Sequence, residues 1–168
     1  MQISMYAMSV EQIVSGLTQL NTLLAKGAAF AEAKKLEPGV LENARLAPDM
    51  FHLIRQVHLC CDIPKNGVAR LADSTPPKFD DTETTLTELQ ARVTGTIDYL
   101  RTLSPASING SEDKQITVPL RTRTLELKGL PFLQKWVLPN FYFHLTTAYN
   151  LLRHNGVDVG KNDFLGAV

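Results

Sequence analysis

Two histidines and one carboxylate are the residues of this chain whose types and spacing could hold a metal ion. His58 and Asp62 are four positions apart, so they share one face if their segment is helical. His144 stands in a segment where most residues at helical steps from it are apolar, which predicts a helix that carries its imidazole inward. Three nitrogen and oxygen ligands with an open position would suit Zn, Ni or Fe and a water that the ion acidifies.

A hydrogen-bonded core network is the alternative for the same side chains. A single His on an apolar face is more often a satisfied core residue, and the sequence contains no HxxxH, HExxH or CxxC motif. Asn140 lies one turn before His144, where a second imidazole would strengthen the metal hypothesis, and an amide is the better hydrogen-bond partner. Asp62 could also accept the ring N–H of His58 rather than bind an ion.

A second candidate group consists of Tyr142, Tyr149 and Arg153. Tyr149 and Arg153 are four positions apart and could stack or present donors along one helix edge, or the helix could pack against the tail beside a solvated guanidinium. The adjacent Cys60 and Cys61 lie in a helical pattern where a disulfide between them would be strained, which predicts reduced thiols, with Cys61 a small buried side chain rather than a reactive one. The chain has no Gly-rich phosphate loop and no GxSxG elbow, so the sequence assigns no catalytic residue.

Four amphipathic segments must position these side chains. Apolar residues at helical spacing predict helices over residues 4 or 9 to 35, 46–72, 83–103 and 130–155. Ser9, and Asp81 or Thr82, are the predicted N-caps of the first and third helices, and Phe51 is a predicted inward residue of the second. Two short alternating segments between residues 115 and 127 predict a hairpin or irregular extended chain in the last connection. The expected fold is an all-α four-helix bundle with this short segment between the third and fourth helices.

Length and charge exclude several classes of protein. A chain of 168 residues is most simply one domain, over residues 1–168. The chain has 17 basic residues (Lys and Arg) and 17 acidic residues (Asp and Glu), so its net charge is zero with neutral His. This balance, together with the lack of a basic stripe in the sequence, argues against nucleic-acid binding. No signal peptide and no long apolar run is visible, so we expect a cytoplasmic protein outside the membrane.

Several blocks of the sequence are similar to a known family. The blocks are LAPDMF at 46–51, LPNFYFHLTTAY at 138–149, LRHNGV at 152–157 and GKNDF at 160–164. They resemble an uncharacterised bacterial domain-of-unknown-function family that is placed in the DinB/YfiT-like superfamily of four-helix bundles, and the resemblance covers nearly the whole chain. It implies the bundle fold, a homodimer and a pocket at one end of the bundle. It also implies a divalent metal held by three His, since the members of known activity depend on one and several act in low-molecular-weight thiol transfer.

The chain departs from that pattern at the metal site. Asn140 and Ala148 stand four positions before and after His144, so the paired-His motif is absent and only His144 and His58 match it. The favoured function is therefore a small-molecule-binding or stress-related module that has lost the metal site. The alternative is a divalent-metal-dependent enzyme, thiol transferase or hydrolase-like, with a pocket between the second and fourth helices. The candidate pocket residues are His58, Asp62, Asn140, His144, Tyr149 and Arg153.

Overall fold

The computed structural model describes residues 3–166, and helices form most of this part of the chain. The elements in chain order are a π-helical turn Ala7–Glu11, α1 Gln12–Lys34, α2 Leu53–Leu71, α3 Leu86–Thr102, α4 Pro105–Ile108, β1 Gln115–Pro119, β2 Thr124–Lys128, α5 Gly129–Phe132, a second π-helical turn Leu133–Val137, α6 Leu138–His154 and α7 Lys161–Leu165. The prediction of a mostly helical protein with a short hairpin before the last long helix is confirmed.

The four longest helices pack around one apolar core. α1 packs on α3 and α6, and α2 packs on the same two helices. Fully buried side chains from each helix meet between them, including Leu20, Val57, Leu89 and Phe141. Burial of apolar stripes of this kind is the main stabilising term of a helical domain.

The helix α2 is buried on two faces because it lies between α6 and α3. On one face, the Cys60 thiol lies 3.9 Å from the carbonyl oxygen of Phe141 on α6. On the other face, Cys61 lies beside Thr96 on α3. Both cysteines are buried free thiols, as predicted. Burial raises the pKa of Cys61 to about 12, so this thiol stays protonated and unreactive at neutral pH.

Gly67 allows α2 to approach the second π-helical turn closely. A Cβ atom at this position would lie 2.6 Å from Cγ2 of Val137, which is fully buried. Pro139 follows in the first turn of α6, where a missing N–H is tolerated. The helix predicted over residues 130–155 is therefore divided, and α6 begins at Leu138 after α5 and the second π-helical turn.

The first helix begins next to Ser4, one of its two predicted starts, while its predicted N-cap at residue 9 and the starts of α2 and α3 differ from the sequence prediction. Ser9 is not an N-cap, since it lies inside the first π-helical turn and donates its hydroxyl to the carbonyl of Met5 at 2.6 Å. α2 begins at Leu53 rather than within residues 46–50, and His52 caps it by accepting the N–H of Arg55. Phe51 consequently lies outside the helix and is 53% exposed, not inward.

A capping box fixes the start of α3. Thr85 accepts the N–H of Glu88, and the Glu88 carboxylate accepts the N–H of Thr85. The prediction that Asp81 or Thr82 is the N-cap was wrong. The Thr85–Glu88 pair provides the hydrogen bonds at the start of the helix instead. Residues 81–83 are left outside the helix, free to make contacts with α2.

The hairpin lies between α4 and α5. β1 and β2 are antiparallel, with Gln115 opposite Lys128 and Pro119 opposite Thr124. Ile116 and Val118 of β1 are buried, so the hairpin covers part of the core with one face.

No helix within residues 3–166 is both long and apolar enough to cross a membrane.

Candidate functional site

His144 on α6 and Gln56 on α2 form a buried polar pair. His144 is 7% exposed, and its Nδ1 lies 2.8 Å from Oε1 of Gln56. The Gln56 amide orientation is fixed independently, because Nε2 of Gln56 donates to the carbonyl of Phe51 at 3.1 Å. Oε1 is therefore the acceptor and Nδ1 carries the proton, which leaves Nε2 of His144 with a lone pair that can accept a hydrogen bond.

The surroundings of His144 keep its imidazole neutral. Burial lowers the pKa of His144 below its ordinary value of 6.5, and the nearby Arg55 guanidinium lowers it further. A neutral imidazole of fixed tautomer is a hydrogen-bond acceptor and a weak base at pH 7. The prediction that His144 points inward from its helix is confirmed.

A small cavity adjoins the His144–Gln56 pair. Its volume is about 170 Å³. Phe51 and Phe143 are 53% and 57% exposed at its rim, and the Phe143 ring meets the His144 ring edge-on with centroids 5.2 Å apart. The lining residues are Asp49, Met50, Phe51, Gln56 and Phe143. We call this space the His144 cavity; it combines an apolar rim with the Gln56 side chain, and His144 lies behind Gln56 without lining the cavity.

A separate group of charged side chains lies between α2, α3 and the connection that joins them. Nη2 of Arg92 lies 2.8 Å from Asp62 Oδ2 and 3.0 Å from Asp81 Oδ1, and its Nη1 lies 2.9 Å from Glu83 Oε1. The Arg92 side chain is only 1% exposed. We call this group the ionic cluster; its members are Arg55, His58, Asp62, Lys65, Asp81, Glu83 and Arg92.

His58 belongs to the ionic cluster. Its Nδ1 lies 3.6 Å from Asp81 Oδ1 and its Nε2 lies 2.9 Å from Glu83 Oε2, but Nε2 is not aligned for a hydrogen bond. Burial lowers the pKa of His58, and the Arg92 guanidinium adds to this effect. His58 is therefore neutral at pH 7.

The charges of the ionic cluster balance. Arg55 lies 2.8 Å from Asp81, and Lys65 lies 3.0 Å from Asp62. Burial alone would raise the pKa of Asp81, but His58, Arg92 and Arg55 together hold it below its ordinary value. Three carboxylates therefore face three fixed cations, and the cluster has no excess negative charge for a divalent ion.

The structure brings His58 and Asp62 into one cluster but does not bring His144 to them. Gln56, the partner of His144, precedes His58 by two positions, which is a rotation of about 200° around α2. The two imidazoles consequently face opposite sides of this helix. Within residues 3–166, no three His, Cys, Asp or Glu side chains are arranged to hold a metal ion. The predicted ligands His58, Asp62 and His144 therefore do not fit a shared divalent metal.

The other predicted pocket residues have local partners. Asn140 donates to the carbonyl oxygen one turn earlier at 2.7 Å. Tyr149 packs edge-on against Phe164 of the C-terminal segment, with centroids 5.8 Å apart. Arg153 is exposed, with Nη1 3.9 Å from the carboxylate of Asp158. None of these three side chains lines the His144 cavity.

Gln56 is the residue of this site that the sequence interpretation missed. It lies on the α6-facing side of α2, at helical steps from Leu53 and Cys60, which are both buried. A search limited to apolar and metal-ligating residue types overlooks an amide at such a position. The sequence pattern that could have identified Gln56 is its position at the same helical spacing as the buried apolar residues, which predicts a buried side chain that needs a polar partner.

Comparisons with known proteins give the family. The chain matches the family described as "Domain of unknown function (DUF1993)" over residues 5–165. It matches no curated protein. The crystal structure of a DinB family member protein from Shewanella denitrificans is similar, with 47% sequence identity and a TM-score of 0.90 over 97% of this chain and 92% of that chain. The protein belongs to the DUF1993 family of domains of unknown function.

Proposed function

We propose that the protein is a small-molecule-binding member of the DUF1993 family that works without the three-His metal site. In this proposal α1, α2, α3 and α6 form a DinB-like four-helix bundle, and residues 1–168 make one domain. The observation that carries the proposal is the pair of His144 and Gln56, 2.8 Å apart, next to a cavity with an aromatic rim.

The site chemistry restricts the ligand. The His144 cavity, about 170 Å³ in volume, is near the size of an engineered cavity of about 150 Å³ that holds benzene, so it suits one ring. Phe51 and Phe143 supply apolar and aromatic contact. Oε1 of Gln56, which lines the cavity, supplies an acceptor, since one of its two lone pairs remains beside the hydrogen bond from His144. The ligand is therefore a small, mostly apolar molecule with one O–H or N–H donor.

Phenol and toluene test this, because they match in size and only phenol has a donor. We expect phenol to shift the NMR signals of the Gln56 side-chain amide and the Phe143 backbone amide, and to bind about fivefold more tightly than toluene, as one hydrogen bond predicts. Gln56→Leu should reduce phenol binding to the level of toluene. Equal binding of phenol by the wild type and this variant, or no shift of these signals, would contradict the proposal.

The divalent-metal enzyme is the alternative, and two features weigh against it. Asp62 is held at 2.8 Å by the Arg92 guanidinium, whose positive charge opposes binding of a cation beside it. His144 and His58 face opposite sides of α2, as derived above. These features support a function that needs no metal.

A homodimer and a cytoplasmic location, both expected from the sequence, stay predictions. The exposed apolar side chains Leu46, Phe51 and Phe143 are consistent with a contact surface. Sedimentation velocity decides the oligomeric state: a species of twice the 18.6 kDa chain supports the dimer, and a monomer at all concentrations contradicts it.

A further inference from the structure

We propose a second binding site, for a small aromatic monocarboxylate, in a cavity between α2, the hairpin and the second π-helical turn. The cavity has a volume of about 190 Å³. Its main lining residues are Ile63, Arg70, Val118, Leu120, Phe132 and Trp136. We call it the Trp136 cavity.

The walls of the Trp136 cavity are apolar and come from four parts of the chain. Ile63 lies on α2, Val118 on β1, Phe132 on α5 and Trp136 on the π-helical turn. Val118 and Phe132 are buried, while Trp136 is half-buried and packs on the core. A volume slightly above the roughly 150 Å³ that holds benzene fits one aromatic ring with a short substituent. An indole at the wall favours an aromatic ring over an alkyl chain, through offset or edge-on packing.

Arg70 supplies a positive charge at this apolar cavity. Its Nη1 donates to the carbonyl of Asn66 at 3.0 Å, and it forms no ion pair with a carboxylate within residues 3–166. Lys114, which lies near Arg70, is already paired with Asp73 at 2.5 Å. The Arg70 guanidinium therefore keeps donors for an incoming anion, and a carboxylate matches its planar donor geometry.

The Trp136 cavity is separate from the His144 cavity. Ile63, the first α2 residue of the Trp136 cavity, lies seven positions beyond Gln56, which is about 10 Å along the helix axis. One wall is a π-helical turn, an irregularity that is rare and is often found at functional sites. Binding here does not depend on the proposed function of His144.

The experiment compares phenylacetate with phenylacetamide, its neutral counterpart of nearly equal shape. Trp136 is the only tryptophan, so its fluorescence and its indole N–H signal in NMR report on this cavity alone. We expect saturable binding of phenylacetate with a shift of the indole signal, and binding of phenylacetamide about tenfold weaker. Arg70→Gln should weaken phenylacetate about tenfold and leave phenylacetamide unchanged, as loss of one charge-assisted pair predicts.

Arg123→Gln is the matched control. Arg123 is exposed in the hairpin turn and does not line the cavity, so this variant removes the same charge and should bind phenylacetate like the wild type. Circular dichroism confirms that each variant is folded. The proposal is overturned if phenylacetate gives no saturable shift at Trp136, if phenylacetamide binds equally well, or if Arg70→Gln and Arg123→Gln weaken binding equally.

Discussion

His58 and His144 are both buried imidazoles, and different surroundings keep each one neutral. His144 faces an amide, and only Arg55 among the charged groups perturbs it. His58 lies between Asp81 and Glu83, whose charges favour protonation, but burial and Arg92 outweigh them. Neither residue is a cation at pH 7, so His144 is a neutral donor to Gln56 and His58 is an uncharged member of the ionic cluster.

Replacing Gln56 with Leu should destabilise the protein through His144. The Nδ1–H of the buried imidazole would lose its partner, which costs about 1–3 kcal/mol of the free energy of unfolding. Urea denaturation at pH 7.5 measures this change. The double variant with His144→Leu should recover part of the loss, because neither polar group then remains.

Gln12→Leu is the control for that experiment. Gln12 makes an exposed hydrogen bond to Tyr142, so its loss should change the free energy of unfolding by no more than about 0.5 kcal/mol. If Gln56→Leu and Gln12→Leu destabilise equally, His144 does not depend on Gln56.

Stability should fall as the pH drops below about 6.5. The pKa values of His58 and His144 are lowered in the folded state, so the unfolded chain takes up protons first, at the ordinary value of 6.5. The unfolded state then binds more protons, and the free energy of unfolding decreases until the folded-state pKa values are reached. Thermal unfolding at pH 7.5 and pH 5.0 measures this decrease, and His58→Gln with His144→Gln should reduce it. Equal stability at both pH values in the wild type would contradict the prediction.

The carboxylates of the ionic cluster act in a lower range of pH. In the folded state the pKa values of Asp81 and Glu83 are lowered from 3.8 and 4.5. Their contribution to the free energy of unfolding is therefore fully present above these ordinary values. It is lost as the pH falls through the lower, folded-state pKa values. A decrease of stability between pH 7.5 and pH 5.0 therefore belongs to the histidines.

Among the elements, the connection between α2 and α3 depends most on side chains. Residues 74–85 form no helix or strand. Arg92 of α3 holds this segment through Glu83, Asp81 and the carbonyl of Asp80, and it holds α2 through Asp62. The buried guanidinium of Arg92 thus joins α2 and α3 to the segment that connects them.

Replacing Arg92 with Met should destabilise the protein by about 3 kcal/mol or more, because it leaves neighbouring carboxylates without their partner. Amide hydrogen exchange should accelerate in residues 74–85. Arg101→Met is the control, since Arg101 is exposed on the same helix and its change should stay within about 0.5 kcal/mol. Similar free energies of unfolding and similar exchange for the two variants would show that the cluster does not hold the connection.

Helical periodicity predicted the long helices and the burial of His144, because each depends on neighbours along the same segment. It could not predict the helix starts, which depend on whether His52 or Thr85 accepts a particular backbone N–H. It also could not give the partner of His144, since Gln56 lies 88 positions away. The sequence interpretation assumed that α2 has one buried face, although it has two. His58 and His144 were therefore predicted to share a metal ion, whereas they lie on different sides of α2.

At the scale of the whole molecule, the position of α2 between α3 and α6 explains why two polar sites coexist in one core. The His144–Gln56 pair lies on its α6 side and the ionic cluster on its α3 side. The helix itself separates them, so the His144–Gln56 hydrogen bond and the ion pairs of Arg92 share no residue. A site that uses ligands from both sides would require α2 to rotate, against the packing of Cys60 on α6 and Cys61 on α3.

The melting temperature of the whole protein should therefore be independent of divalent metal. An ion present at 100 times its Kd stabilises the folded state by about 2.7 kcal/mol. For a domain of this size that would raise Tm by roughly 5–11 °C. We expect no such rise when protein purified without a His tag is scanned with a chelator, or with Zn²⁺, Ni²⁺ or Fe²⁺ added. His144→Leu should give the same result, relative to its own Tm. A rise of several degrees with one ion that is absent in His144→Leu would make His144 a metal ligand, and the metal-independent function would then be wrong.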